Sequence, residues 1–164
     1  MRSNQILSPC LWYDGKAEEA AEFYVSVFPN SRIDEVLRSP CDWPSGKAGD
    51  AILVSFTLAG MPYQAMNGGP NEPFNNSVSL SITCENQTEV DRYWEALTAG
   101  GGEPTQCGWL QDRYGLRWQV VPRVLMRMMH DDDREKAGRA MQAMMQMVKL
   151  DIAELERAYA GAAK

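Results

Sequence analysis

Histidine is almost absent from this chain: its 164 residues hold one, His130. That scarcity removes the commonest imidazole ligand for Zn²⁺, Fe²⁺ and Ni²⁺, and the commonest general base near neutral pH. Basic charge is in deficit, with Lys+Arg 16 against Asp+Glu 22 and a formal net charge of −6. Such a field repels phosphate backbones and anionic lipid, so neither nucleic acid nor a membrane is an expected partner. Long apolar runs are missing too. No segment approaches the roughly 20 apolar residues of a membrane span, and MRSNQILSPCLWYDG shows no apolar stretch of signal-peptide length after its arginine. A soluble, cytoplasmic protein is the expectation. Cys10, Cys41, Cys84 and Cys107 are widely spaced and form no CxxC pair, which points to reduced thiols. The length suits one domain, with or without a helical appendage.

The elements present fall into two similar series. Leu7–Tyr13 reads as a short aromatic strand ending at the turn dipeptide Asp14-Gly15. In Ala17–Phe28 the set Ala20, Phe23, Tyr24, Val27 and Phe28 recurs at helical spacing, with Glu18, Glu19 and Glu22 on a solvated face, and Pro29-Asn30 ends the helix. RSPCDWPSGKAGD, residues 38 to 50, reads as a mobile loop. Ala51–Leu58 and Met61–Met66 flank Ala59-Gly60 as a β-hairpin, in which Pro62 predicts an edge or a strand start. The stretch from Asn67 to Asn76 is then a loop.

The order begins again at Ser77–Cys84, a strand by strict alternation, with Val78, Leu80 and Ile82 on one face and Ser77, Ser79 and Ser81 on the other. Thr88–Leu97 is a predicted helix with a threonine N-cap and the stripe Val90, Tyr93, Trp94, Leu97, stopped by Gly100-Gly-Gly. A strand from Thr105 to Leu110, a turn at Arg113-Tyr-Gly and a strand from Leu116 to Val121 complete the series. Strand, helix, then further strands in each half suggests two βαβββ modules, an α+β fold. After Pro122, a helix beginning at Asp131 carries the apolar face Ala137, Ala140, Met141, Met144, Met145, Val148, and a second helix runs from about Asp151 to Tyr159. This methionine-rich face suits packing on its own domain or across a dimer better than a ligand groove.

Three segments, PCLWYDGKAEEAAEFYVSVFPNS (9 to 31), LAGMPYQAMNGGP (58 to 70) and CGWLQDRYGLRWQVVP (107 to 122), together with the tail KLDIAELERAYAG, resemble the PhnB-like subgroup of the glyoxalase, bleomycin-resistance and extradiol-dioxygenase superfamily, the vicinal oxygen chelate fold. The resemblance extends over nearly the whole chain. It implies that the two βαβββ modules form a cupped, mostly antiparallel sheet, within a homodimer. Residues 1–122 would be the superfamily-type domain, with module one at about 5–70 and module two at about 76–122, and 123–164 a C-terminal helical extension. Some members are named 3-demethylubiquinone methyltransferases. Gly68-Gly and Gly100-Gly-Gly sit at a hairpin exit and a helix end, not in a strand-to-helix turn that would cradle a nucleotide, so methyl transfer is not expected.

In metal-using members of the superfamily, His and Glu from the first and last strands of each module hold a divalent ion. The resemblance places Gln119 and Gln64 at the last-strand positions, Ser77 or Ser79 and Ser8 or Cys10 at the first-strand ones. Amides and hydroxyls make a poor site for such ions, so no metal and no cofactor is expected. Two readings of Gln64 and Gln119 stay open: they bond each other or the serine face, or they touch a ligand. Trp12 and Trp109 are candidates to line a cavity, whereas alternation puts Trp118 and Val120 opposite Gln119, in the core. Arg117 shares Gln119's face and suits either an anionic ligand or a rim salt bridge. Cys10 and Cys107 have no histidine nearby to activate them, Asp112 reads as a turn residue, and His130 as a surface residue at a helix start. The candidate ligand-binding set is thus Cys10, Trp12, Gln64, Ser77, Ser79, Trp109, Arg117 and Gln119. A protein that binds a small organic molecule is placed first, ahead of a metal-independent or cryptic-metal enzyme and of a purely structural dimer.

Overall fold

A computed structural model describes residues 6–161. Residues 1–5 and 162–164, the outer ends of the two expected domains, lie outside the described residues. The chain divides between Phe74 and Asn75 into two compact units, each with its own four-stranded sheet.

The first unit runs β1 (Cys10–Tyr13), α1 (Ala17–Val27), β2 (Arg32–Arg38), β3 (Ala51–Leu58) and β4 (Met61–Asn67), with sheet order β1-β4-β3-β2. β1 lies parallel to β4 and the other pairs are antiparallel. Leu11, Val54, Phe56, Tyr63 and Ala65 form the buried face of the sheet, and Ala17, Ala20, Ala21 and Tyr24 the buried stripe of α1. Three of those four helical residues are alanines, and α1 makes close contact with β3 and β4. Lys16 caps α1 with no side-chain bond. Asn67 substitutes: its buried Oδ1 accepts from the Ala17 N–H at 2.9 Å, and its Nδ2 donates to the Ala51 carbonyl at 2.9 Å, tying helix and hairpin strands together.

The expected hairpin forms. Its turn needs left-handed backbone at both central residues, and Ala59 (φ 49°) and Gly60 (φ 83°) supply it. β4 is a central strand, so Pro62 marks a strand start and not an edge: β1 pairs with β4 only from Gln64 onward. β2 escapes sequence reading because it is an edge strand whose register shifts between Ile33 and Glu35, breaking the alternation of Arg-Ile-Asp-Glu-Val-Leu-Arg. The loop expected to be mobile is cross-braced: Ser39 N–H donates to the Asp50 carbonyl, Gly49 N–H to the Ser39 carbonyl, and Asp42 Oδ1 accepts from Ala48 N–H.

The second unit runs β5 (Leu80–Cys84), α2 (Gln87–Thr98), β6 (Glu103–Pro104), β7 (Trp109–Gln111) and β8 (Arg117–Pro122), then α3 (Arg123–Met129), α4 (Arg134–Met144) and α5 (Ile152–Ala160). Its sheet order β5-β8-β7-β6, with β5 parallel to β8, repeats that of the first unit. α2 presents the expected stripe Val90, Tyr93, Trp94 and Leu97, all buried. Its N-cap is Asn86, not Thr88: the Asn86 Oδ1 accepts from Glu89 N–H at 3.0 Å, and Glu89 Oε2 accepts from Glu85 N–H at 2.8 Å, a reciprocal cap. Of the strand expected over Thr105–Leu110, only Trp109 and Leu110 are strand, in β7; residues 105–108 form the connection between the antiparallel β6 and β7, where Cys107 (φ 60°) and Gly108 (φ 79°) adopt left-handed backbone.

The tail differs most from expectation. Pro122, the last residue of β8, is also the N-cap of a helix that the sequence reading did not anticipate, α3; its ring fixes a φ compatible with that position. α4 starts at Arg134 behind the Asp133 cap rather than at Asp131. Of the expected apolar face, Ala137 and Ala140 are buried, whereas Met141, Met145 and Val148 are 43–47% exposed. The helix ends at Met144, so Met147 and Leu150 turn instead into a cluster with Leu125, Met128, Ala140 and Leu155. The segment after α4 also bonds to the sheet unit: Cys107 N–H donates to the Met147 carbonyl and Gly108 N–H to the Val148 carbonyl, each at 2.8 Å. Among the described residues no helix is long and apolar enough to cross a membrane.

Candidate functional site

Each sheet covers one face with its helix and leaves the other open, and alternation sends the chemistry-bearing side chains to the open face. In the first unit Cys10, Gln64 and Ser55 lie in one register row, and Trp12, Met66 and Leu53 in the next, with Leu37 beyond Leu53 on β2. Gln64, Trp12, Met66, Leu53 and Ser55 are half-buried. The Trp12 ring is fixed by a bond from its Nε1 to the Gly69 carbonyl at 2.8 Å, and it packs so closely on Gly68 that a Cβ there would lie inside the ring. Gly68 is required for that approach. Gln64 makes no side-chain hydrogen bond among the described residues.

In the second unit the corresponding row is Ser81, Gln119 and Trp109. Gln119 is half-buried and committed: its Nε2 donates to Ser79 Oγ at 2.9 Å. The serine alternative anticipated for the two glutamines therefore holds for Gln119. Ser79 itself precedes β5, and Ser77 lies further out in an exposed loop, its N–H donating to Asn75 Oδ1, because the strand begins at Leu80 and not at Ser77. Ser81 is the true register partner of Gln119; the alternation had put it on this face, and only the pairing singles it out. Trp118 is buried on the helix face as expected.

Arg117, one residue from Trp118 and on the open face, is half-buried and donates from Nε to Asn76 Oδ1 at 2.7 Å and from Nη1 to the Gly115 carbonyl at 2.9 Å and to Gln111 Oε1. It forms no ion pair among the described residues, so the rim salt bridge does not form there. Asp112 is more than a turn residue. It is fully buried, accepting at Oδ1 from Tyr114 and Leu116 N–H and at Oδ2 from Trp118 Nε1. The Asp-x-x-Gly pattern marks its turn, but nothing local signals the reach to Trp118.

The cysteines are poorly set for nucleophilic work. Cys10 is exposed on β1, and partial burial of its thiol pushes the pKa up, the reverse of activation. Cys107 is half-buried beside the tail. His130 is the C-cap of α3, its Nδ1 at 2.7 Å from the Met126 carbonyl, rather than a residue at the start of the next helix. A separate cleft of about 340 Å³ in the first unit is lined by Glu18, Arg38, Trp43, Ser45, Asp50 and Asn67 among others; there the Arg38 charge is paired with Glu18 at 2.8 Å.

The register positions Cys10, Gln64, Ser81 and Gln119 offer one thiol, two amides and one hydroxyl. Among the described residues no group of three or more His, Cys, Asp or Glu is placed to hold a metal ion. Neither the thiol and amide of the first unit nor the hydroxyl and amide of the second, each taken by itself, fits the divalent ion of the superfamily's metal-using members.

Paired βαβββ modules of this strand order define the class, the glyoxalase and bleomycin-resistance fold. The chain belongs to the 3-demethylubiquinone-9 3-methyltransferase family, whose model matches residues 5–121, and so to the PhnB-like subgroup. A Bacillus cereus PhnB protein, provisionally described as a 3-demethylubiquinone-9 3-methyltransferase, is 33% identical, with 72% of this chain and 99% of that chain covered and a TM-score of 0.65. Protein PA1353 from Pseudomonas aeruginosa shares the fold at 20% identity, covering 73% of this chain and 98% of that chain with a TM-score of 0.59. So does the fosfomycin resistance protein FosX from Listeria monocytogenes, at 17% identity, 74% and 94% coverage and a TM-score of 0.50. No curated protein matches. The family match covers the two modules and ends at residue 121, before the C-terminal helices.

Proposed function

We propose that this protein binds a small, partly apolar organic molecule on the open faces of its sheets, without a metal in the site. The observation that carries the reading is Gln64. Its half-buried amide lies one register row from Trp12, Met66 and Leu53 and has no side-chain partner among the described residues. A primary amide offers two donors and a carbonyl acceptor, and leaving them beside apolar surface favours a ligand that supplies the missing bonds. The raised Cys10 pKa favours binding over nucleophilic catalysis on this face. We extend the proposal to a homodimer, as the resemblance implies, to a cytoplasmic location, in keeping with the lack of long apolar runs in the sequence, and to an activity other than the methyl transfer in the family description. Support for the last point comes from the strand-to-helix turns, Asp14-Gly-Lys and Glu85-Asn86, which lack the glycine-rich cradle of a nucleotide-type methyl donor.

The test is a thermal-shift screen of a small-molecule library on the wild type, Gln64→Ala and Gln119→Ala. Hits should stabilise the wild type and lose most of that effect in Gln64→Ala, as binding to the folded state requires. A library that shifts no variant would sink the binding reading. Binding of an S-adenosyl methyl donor in calorimetry would overturn the exclusion of methyl transfer, and near-stoichiometric transition metal in the purified protein would overturn the metal-free site.

A further inference from the structure

Resting on the reading that the open sheet faces take small organic molecules, we infer that Arg117 seats the anionic end of a ligand on the second unit's own sheet, and that this ligand is a planar aromatic carboxylate whose ring lies against Trp109. The guanidinium is held in place without being neutralised. Its Nε bonds Asn76 Oδ1, its Nη1 bonds the Gly115 carbonyl and Gln111 Oε1, and all three acceptors are uncharged. Arg32, Arg38 and Arg123 instead meet Asp34, Glu18 and Glu85 at 2.7–2.8 Å. Neutral oxygens satisfy N–H donors and fix the plane of the group, but they leave its full positive charge on a half-buried site, which favours an anion arriving from solution.

The remaining geometry selects the anion. The Nη2 group makes no hydrogen bond among the described residues and so keeps two N–H donors for an incoming carboxylate. Glu103 shares the open-face row through Gln111, but it stands two strands from Arg117 and forms no ion pair with it. Trp109 is half-buried on β7, and Gln111, two residues along, faces Arg117 directly. Arg117 and Trp109 are thus a diagonal cross-strand pair, roughly 7–8 Å apart. That offset matches a carboxylate joined to a flat ring. Gln119, the register partner of Trp109, flanks the same space. One free guanidinium nitrogen in a protein of net charge −6 suits a monoanion better than a phosphate dianion.

Cinnamate and its neutral amide, cinnamamide, are suitable probes, titrated by tryptophan fluorescence at low and at high salt. Cinnamate should bind about tenfold more tightly than cinnamamide at low salt, with the preference shrinking as salt rises. Arg117→Gln should bring the two to parity, with cinnamate losing far more affinity than cinnamamide. Equal affinities in the wild type, a preference that survives Arg117→Gln, or no binding of either probe would overturn the carboxylate seat. Those outcomes leave small-molecule binding itself to the Gln64→Ala screen. If Arg117→Gln fails to fold, the salt dependence of cinnamate against that of cinnamamide on the wild type decides the matter.

Discussion

Replacing Asp112 with asparagine tests whether its buried carboxylate organises the closing hairpin of the second unit. The substitution is nearly isosteric. Its Oδ1 still accepts from Tyr114 N–H at 2.8 Å and Leu116 N–H at 3.1 Å, so the turn keeps its backbone bonds. What changes is the other atom: an amide NH₂ replaces the Oδ2 that accepts from Trp118 Nε1 at 2.8 Å, and two donors then face each other. Trp118 is 2% exposed and cannot turn to water. Losing a charge-assisted bond while leaving a buried donor unpaired costs about 2–4 kcal/mol. Asp112→Ala, which also orphans both backbone N–H groups, should cost more, about 4–5 kcal/mol. Urea unfolding followed by circular dichroism and by tryptophan fluorescence measures both, provided the two probes report a coincident transition. The decisive arm is a double-mutant cycle with Trp118→Phe, which removes the donor and should shrink the Asp112→Asn cost by more than about 1 kcal/mol. A loss below about 0.5 kcal/mol for Asp112→Asn, or zero coupling to Trp118, would refute the reasoning.

Acid should loosen the C-terminal helices. Bonds from Lys149 and then Gln87 hold the Asp91 pKa below its ordinary value, the Tyr159 hydroxyl does so for Asp131, and the Lys136 N–H for Asp133. Because the folded values lie below the unfolded one of about 3.9, their contribution is complete above that pH and is lost as pH falls through the folded values. Protection of the α4 and α5 amides, taken relative to the intrinsic exchange rate at each pH, should therefore fall from about pH 4 downward and stay flat between about pH 5 and 8; a midpoint near neutrality would contradict this. Burial, with the Glu89 and Glu85 charges adding to it, pushes the Cys84 thiol up to about 12, so a thiol reagent at neutral pH should label exposed Cys41 while Cys84 reacts only on unfolding. Mass mapping of labelled peptides reads the order. A chain cut after Pro122 should express as an unfolded or aggregating product, since it strips the Met147 and Val148 carbonyls from Cys107 and Gly108 and the Leu150 carbonyl from Gln87; a soluble, cooperatively melting 1–122 fragment would show that the tail is a separable extension.

Periodicity was enough wherever burial is one-sided and local. The stripe Val90, Tyr93, Trp94, Leu97 on α2 and the opposition of Trp118 and Gln119 across β8 follow from spacings of 3.6 and 2, because a helix or strand that packs one face must repeat its apolar residues at that period. The two-module order was legible for the same reason, and the scarcity of histidine was legible directly. β2 was not legible, because its bulge breaks the alternation and its edge position removes the need for apolar residues.

Everything that depends on which distant atoms meet required the fold. Gln64 and Gln119 are equivalent in sequence pattern, yet Gln119 is taken by Ser79, 40 residues away, while Gln64 is left open on its sheet. Ser81 rather than Ser77 faces Gln119, because strand pairing, not alternation, sets register. Arg117 could have met a carboxylate or an amide; its charge is left uncancelled by Asn76, 41 residues back, and by Gln111 across a hairpin. A linear pattern can assign a residue to a face, but hydrogen bonds and ion pairs act over about 3–4 Å, and which groups come that close is settled by long-range packing.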